Sequence, residues 1–498
     1  MKKFLKITVL SLFATPIFAQ YLDLHRYDQY ALAFTMPSLN GNARFTSMGG
    51  AFGALGGNLS ALSTNPASIG IYRSGEFSFT PALTLGKTEV TPINTADARM
   101  READRMNFNV GNLGLVSVFD IAKTDGENEW KMLQFGFGVN RLADFWNRSN
   151  YSGYVNWTYL DEITSEANRF GNVNQFTTRG LAWDAELLDF DTINREFFND
   201  LNEVFNPLTG KWSRTDEGLT QSQTTETRGG INEWYMTFGG NYGDILYLGA
   251  TIGLPSVNYR QIRTLTERDQ KGQHPDFDFW KLRESLEITG IGINLKLGAI
   301  VRPTDFLRLG LAVHTPTRYT LKENITREIT VPWRSRPYRE SAPTFEYSLR
   351  TPTRLIGSVG LVIARQALIG VEYEHLNYGK MRVSGLDPNF DDDNDFIADN
   401  YRTGGVIRVG GEYRMDQVSL RLGYNYTMTP YNANSFAASD FSGHSFSAGL
   451  GFVTGSTSID LAYVNTMRKY EMQPYSGMLW NKYNVTGHQF LVTFGWRF

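Results

Sequence analysis

The chain has 498 residues, no cysteine and a net charge of −3, with 48 Gly, 17 Pro and 14% aromatic residues. Without cysteine there is no thiol catalysis, thiolate metal site, disulfide framework or lipidated N-terminal cysteine, and the near-neutral charge argues against a nucleic-acid binder, whose footprint is a basic excess. A mean hydropathy of −0.32 excludes a bundle of transmembrane helices.

Lys2, Lys3 and Lys6 precede an apolar stretch from Ile7 to Phe18 that ends at Ala19 before Gln20. A basic start, a short apolar run and a small residue at the cleavage point describe a secretory signal peptide over 1–19. The stretch is broken by Pro16 and is shorter than the roughly 20 apolar residues that span a bilayer. The protein is therefore expected to be exported, and any membrane residence must use strands.

Residues 20–74 lack sustained alternation. They hold a helical pattern around 24–34, then a dense run of small residues containing Ala43-Arg44, Met48-Gly49-Gly50-Ala51 and Asn65-Pro66-Ala67. Glycine permits close backbone approach and positive φ, and Pro66 makes Asn65-Pro66-Ala67 a rigid bend.

From 75 onward the chain reads as paired strands. Phe490, Val492, Phe494, Trp496 and Phe498 alternate with Leu491, Thr493, Gly495 and Arg497, a period of two that puts the large apolar residues on one face. The same pattern recurs at Val418–Tyr426, Leu307–Val313 and Ile369–Tyr373. A chain that stops on Phe498 has no room for a covering segment, so this face is expected to meet lipid, with Trp496 and Phe498 as an assembly signal. Short connections (near 123–129, 243–244, 302–305, 364–367, 415–417 and 455–456) alternate with long ones (near 89–105, 146–230, 261–283, 322–342, 384–402, 431–441 and 471–483). The expected fold class is all-β: a closed antiparallel transmembrane barrel of about 14 strands over 75–498.

The motifs of the small-residue run resemble the long-chain fatty-acid transporter family of Gram-negative outer membranes, the FadL/TodX/OmpP1 group. There an Ala-Arg…Met-Gly-Gly-Ala stretch and an Asn-Pro-Ala triplet precede the first strand. The resemblance implies that 20–74 forms a hatch inside the barrel, with Gly49, Gly50, Asn65, Pro66 and Ala67 as hatch or gating residues. It also implies that extracellular loops capture a hydrophobic small molecule, which passes to a luminal pocket and leaves sideways through the wall.

In the 146–230 insert, Ile193, Phe197, Leu201 and Val204 follow helical spacing, with Phe190, Phe198 and Phe205 nearby. An amphipathic helix there would make Phe197, Leu201 and Phe205 a ligand-capture groove, or would simply pack on other loops. Asp391, Asp392, Asp393, Asp395 and Asp399 crowd one loop, but a calcium loop counted from Asp391 would need Gly and Glu where Phe396 and Arg402 stand. It reads as a solvated acidic loop. The six His show no metal-ligand spacing, and no cofactor or metal is expected. Arg308, Glu372, Arg408, Glu412 and Arg421 are expected to face the lumen as a charged network, one arginine of which could instead hold a carboxylate. His444 and Ser445, adjacent in a strand, point to opposite faces and do not make a phospholipase pair.

The leading functional expectation is an outer-membrane, non-enzymatic, monomeric channel for hydrophobic small molecules such as long-chain fatty acids, with outer-membrane lipids and the barrel-assembly machinery as partners. The alternative is a related barrel acting as a protein-export or surface-attachment scaffold.

Overall fold

The computed structural model describes residues 27–498 apart from 94, 96–97, 122–128, 200, 202, 207–210, 215–217, 273–276, 365, 386–388, 434–439 and 474–478. The expected signal peptide, the start of the first helix and most of the 123–129 turn lie outside the described residues.

Fourteen antiparallel strands close into one barrel. They are β1 (Glu76–Pro92), β2 (Arg101–Asp120), β3 (Trp130–Asp144, continued by Asn147–Val155), β4 (Leu219–Tyr242), β5 (Leu246–Arg268), β6 (Phe279–Val301) and β7 (Leu307–His314, continued by Arg318–Thr330). The circuit runs on through β8 (Phe345–Arg350 and Arg354–Ile363), β9 (Ala367–Asn377 and Arg382–Ser384), β10 (Thr403–Met415), β11 (Val418–Thr427), β12 (Gly443–Thr454), β13 (Thr457–Met472) and β14 (Asn481–Arg497). Closure is the β1–β14 ladder, from Glu76 opposite Arg497 to Pro92 opposite Asn481. It joins the two ends of the sheet, so that this seam offers lipid no free edge.

The period-two pattern decides which face is which. On β11, Val418, Leu420 and Leu422 are exposed while Ser419 and Arg421 are buried; on β9, Ile369 and Val371 are exposed while Glu372 and Glu374 are buried. The outer face is thus an apolar belt and the inner face is small or charged, the inverse of a soluble sandwich. No helix among the described residues is long and apolar enough to cross a membrane. At the chain end, Trp496 and Phe498 point outward, and the Phe498 amide donates to the Gly75 carbonyl at 3.1 Å. The Phe498 ring lies over Gly75, where a Cβ would have to push it aside.

Two expectations are corrected. The strands flanking the 146–230 insert reach far into it: β4 is 24 residues long and begins at Leu219, and β3 continues to Val155. Their outer ends, such as Leu219–Gly230, carry polar residues on both faces and so give no alternation to read. The insert is partly helical, but not where the spacing pointed. The helices are Tyr159–Phe170 and Thr178–Asp184, whereas Ile193 and Phe197 lie in a turn and a short ribbon pairing Phe190 with Phe197. The Asp191 carboxylate accepts from the Ile193 and Asn194 amides at 2.7 and 3.0 Å, a local turn that competes with helix. Phe205 lies in a separate ribbon, Glu203–Asn206 with Lys211–Arg214.

Candidate functional site

The segment before β1 runs through the barrel interior. A first helix, Tyr27–Thr35, sits among aromatic rings of the outer lumen: Tyr27 packs edge-on to Tyr347 and Phe390 at 5.3 and 5.1 Å between centroids. Tyr401 donates its hydroxyl to Asp28 at 2.7 Å. Deeper, Asn42 caps a one-turn helix (Ala43–Ser47), and Asn42 and Asn58 exchange side-chain amide hydrogen bonds at 3.1 and 2.9 Å.

The expected hatch residues all press against the wall. Gly49 has φ +63, and a Cβ on it would lie 2.7 Å from the Tyr424 carbonyl oxygen. Gly50, at φ +81, lies beside the Arg408 side chain. The Asn65 amide group donates to the Gly53 carbonyl at 2.6 Å while its oxygen accepts from Ala67, and Pro66 opens the short 3-10 helix Pro66–Ile71. The wall answers with glycines that the sequence reading did not single out. A Cβ on Gly298 would meet the Asn65 side-chain oxygen at 1.9 Å, and one on Gly410 the Met48 carbonyl at 2.2 Å. Gly249, Gly370 and Gly423 make equally close contacts. The signal was present as glycine at inward-facing strand positions, but only a known partner makes it legible.

Between these contacts lies the charged network. Arg44 holds Glu412 through two nitrogens at 2.8 and 2.9 Å, and Arg421 bridges Glu412 and Asp460, each at 2.6 Å. Arg408 pairs with Glu372 and Glu374, Arg354 with Glu374 and Lys296 with Glu233. Arg308 donates to the Leu55 carbonyl. The five residues expected in the lumen are all there, and each has at least one partner in the wall or the inner segment, although the Arg308 Nε has none among the described residues. Among the described residues no group of three potential ligands could hold a metal. The acidic run instead opens a helix, Asp391–Asn400, where Asp393 accepts from the Tyr27 amide at 3.2 Å.

Above the network is a cavity of about 100 Å³. Its inner wall is Phe34, the 36–40 linker and Phe45; its outer wall includes Glu233, Lys296, His314, Thr317 and Tyr319. It also reaches Asn140, Arg141, Leu142 and Ala143 of β3, where the barrel ladder parts. β2 pairs with β3 only from Asp120–Met132 to Asn112–Asn140. Beyond that point β3 follows β4 alone, and its outer half tucks inward, Tyr151 and Val155 packing with Val90 and Tyr483. The parting is held by side chains: Asp144 accepts from Asn107 and Asn109 at 2.6 and 2.9 Å. Asn40 of the inner segment accepts from Gln489 and reaches the Leu142 carbonyl. On the membrane side of this place Met106 and Phe108 are more than two-thirds exposed.

The expected capture residues are not brought together. Leu201 is buried among the side chains of the helices Tyr159–Phe170 and Thr178–Asp184, Phe197 packs against Phe190 and Trp183, and Phe205 stands in the other ribbon. His444 and Ser445 face opposite ways: His444 takes the Tyr424 hydroxyl at 2.8 Å, and Ser445 bonds Thr466 on the inner face.

No protein-family model and no curated protein matches the chain. Solved structures do. A Pseudomonas aeruginosa FadL homologue superposes with a TM-score of 0.54 at 14% identity, covering 93% of this chain and 99% of its own. The chain shares the FadL–TodX barrel fold. The Pseudomonas putida toluene transporter TodX gives 0.54 at 12% identity with the same coverage, and the monoaromatic hydrocarbon channel CymD 0.51 at 12%, covering 92% and 98%. The shared fold is the closed antiparallel barrel that the alternation implied.

Proposed function

We propose that the protein is an outer-membrane channel for neutral hydrophobic small molecules, taking them from the cell exterior into the luminal cavity and releasing them sideways between β2 and β3. The observation that carries the reading is the cavity's position. It ends against the parted ladder, while the path toward the periplasm is filled by the inner segment acting as a hatch. An apolar ligand gains nothing from a watery exit, since leaving lipid for water costs about 25 cal/mol per Å² of apolar surface. Sideways release avoids that cost.

The cavity also bears on the ligand. At about 100 Å³ it is of single-ring scale, with Phe34 and Phe45 facing a wall that also carries Glu233, Lys296 and His314, and a long acyl chain would need the 36–40 linker to move. Lys296, Arg354 and Arg408 are already paired with carboxylates, which leaves them committed rather than poised for a ligand carboxylate. Both features favour an uncharged ring compound over a fatty acid, and the hydrocarbon transporters TodX and CymD share the fold. Soaking crystals with bromobenzene tests this: anomalous density beside Phe34, Phe45 and His314 is expected, and bromine found only outside the barrel would contradict the assignment.

A further inference from the structure

The outer face of the barrel carries one charged feature that hydrophobic uptake does not use. Arg318 on β7 lies directly opposite Arg350 on β8, and Arg350 directly opposite Arg382 on β9. All three are exposed and outward-facing. Like charges directly opposite one another on a sheet face repel, and the local acids do not relieve them. Glu346 is taken by Lys322 at 2.8 Å, and Arg382 donates to the carbonyls of Gly379 and Met381. Among the described residues none of the three has a carboxylate partner.

The row sits where the outer face changes character. Toward the rim bearing the chain ends, the same strands turn apolar: Val313, Leu311 and Leu309 on β7, Leu355 and Val359 on β8, Val371 on β9. With short turns and termini periplasmic, the arginines lie at the outer-leaflet edge of the belt. Beside them a hollow of about 360 Å³ in the outer wall is lined by Ile252, Ile293, Leu295 and Pro316, with Arg318 and Arg350 at its end.

We propose that this row binds a phosphate-bearing lipid of the outer leaflet, its headgroup across the three guanidinium groups and an acyl chain in the hollow. Guanidinium forks match phosphate oxygens two at a time. Neighbouring strands are about 4.8 Å apart, so the row spans roughly 10 Å, the reach of one phosphorylated headgroup. The hollow at membrane depth points to a lipid in place of a soluble anion, and the occupant cancels the repulsion that the sheet alone leaves standing.

Native mass spectrometry of the purified full-length protein tests the proposal, with dioleoyl phosphatidic acid, the matching diacylglycerol and inorganic phosphate as separate probes. The wild type should retain phosphatidic acid well above diacylglycerol. The Arg318→Gln/Arg350→Gln/Arg382→Gln variant should lose this by roughly a hundredfold, and Arg350→Gln alone by about fivefold, at the usual contribution of a basic residue near an anionic surface. Equal retention of the two lipids by the wild type, or unchanged retention by either variant, overturns the proposal. Inorganic phosphate held as tightly as phosphatidic acid overturns its lipid part. The wild-type comparison stands whether or not the triple variant folds.

Discussion

At the scale of single residues, the interior is held by glycines that admit backbone and by charges paired across strands, such as Arg421 with Glu412 and Asp460. Gly298→Ala would drive a methyl group into Asn65. The expected result is a displaced hatch and raised single-channel conductance with little change in barrel assembly. Arg421 is almost wholly buried and serves both Glu412 and Asp460. Arg421→Met should therefore cost about 3–5 kcal/mol in thermal or denaturant unfolding, as for any broken buried pair, with the companion change Asp460→Leu recovering much of it. In the β4–β5 turn, burial pushes the Asp244 carboxyl up, but hydrogen bonds from Lys131, Asn241 and Arg73 outweigh it and hold its pKa below the usual range. A lowered folded-state pKa stabilises above the unfolded value near 4 and is lost as pH falls below it. Amide protection at residues 73–75, taken relative to the intrinsic exchange rate at each pH, should accordingly fall between pH 5 and pH 2, and not in Asp244→Asn. The Ala43, Gly49 and Asn65 motifs were legible in the sequence because they are contiguous. Gly298, Gly410, Lys296 and Asn107 were not, since their partners lie from about 40 to more than 300 residues away on other strands or on the inner segment.

At the scale of elements, period two was readable wherever lipid touches one face and the lumen the other. It located β7, β9, β11 and β14 because Leu, Val and aromatics alternate there with Gly, Arg and Glu. It failed above the membrane, where β4 extends through Thr, Gln and Glu, and it mistook the Phe190–Phe197 ribbon for a helix because a tight turn brought apolar residues to four-residue spacing. The last strand has its own consequence. Phe498 anchors against Gly75 at the β1–β14 seam, so its deletion or Phe498→Asp should lower the yield of heat-modifiable folded barrel, measured by gel mobility. Wild-type yield would remove the aromatic end from the assembly account. For the inner segment, a chain lacking residues 20–60 should show large, steady conductance in planar bilayers where the intact chain shows little.

At the scale of the whole molecule, the barrel count, the inward position of the first segment and the charged lumen could be anticipated from sequence. The place where the wall opens could not, because it is defined by where two strands stop pairing, and no residue type announces that. In the proposed function, the ligand leaves where β2 and β3 part, a small cavity lies behind the parting, and the inner segment closes the straight route. The absence of cysteine makes this central claim directly testable. Asn109→Cys with Asp144→Cys replaces the contact that spans the parting, and a short bis-maleimide can then lock it. Uptake of labelled toluene by cells carrying the double variant should fall to background on cross-linking, while either single variant treated alike keeps its uptake. Undiminished uptake through the locked barrel would contradict sideways release between β2 and β3.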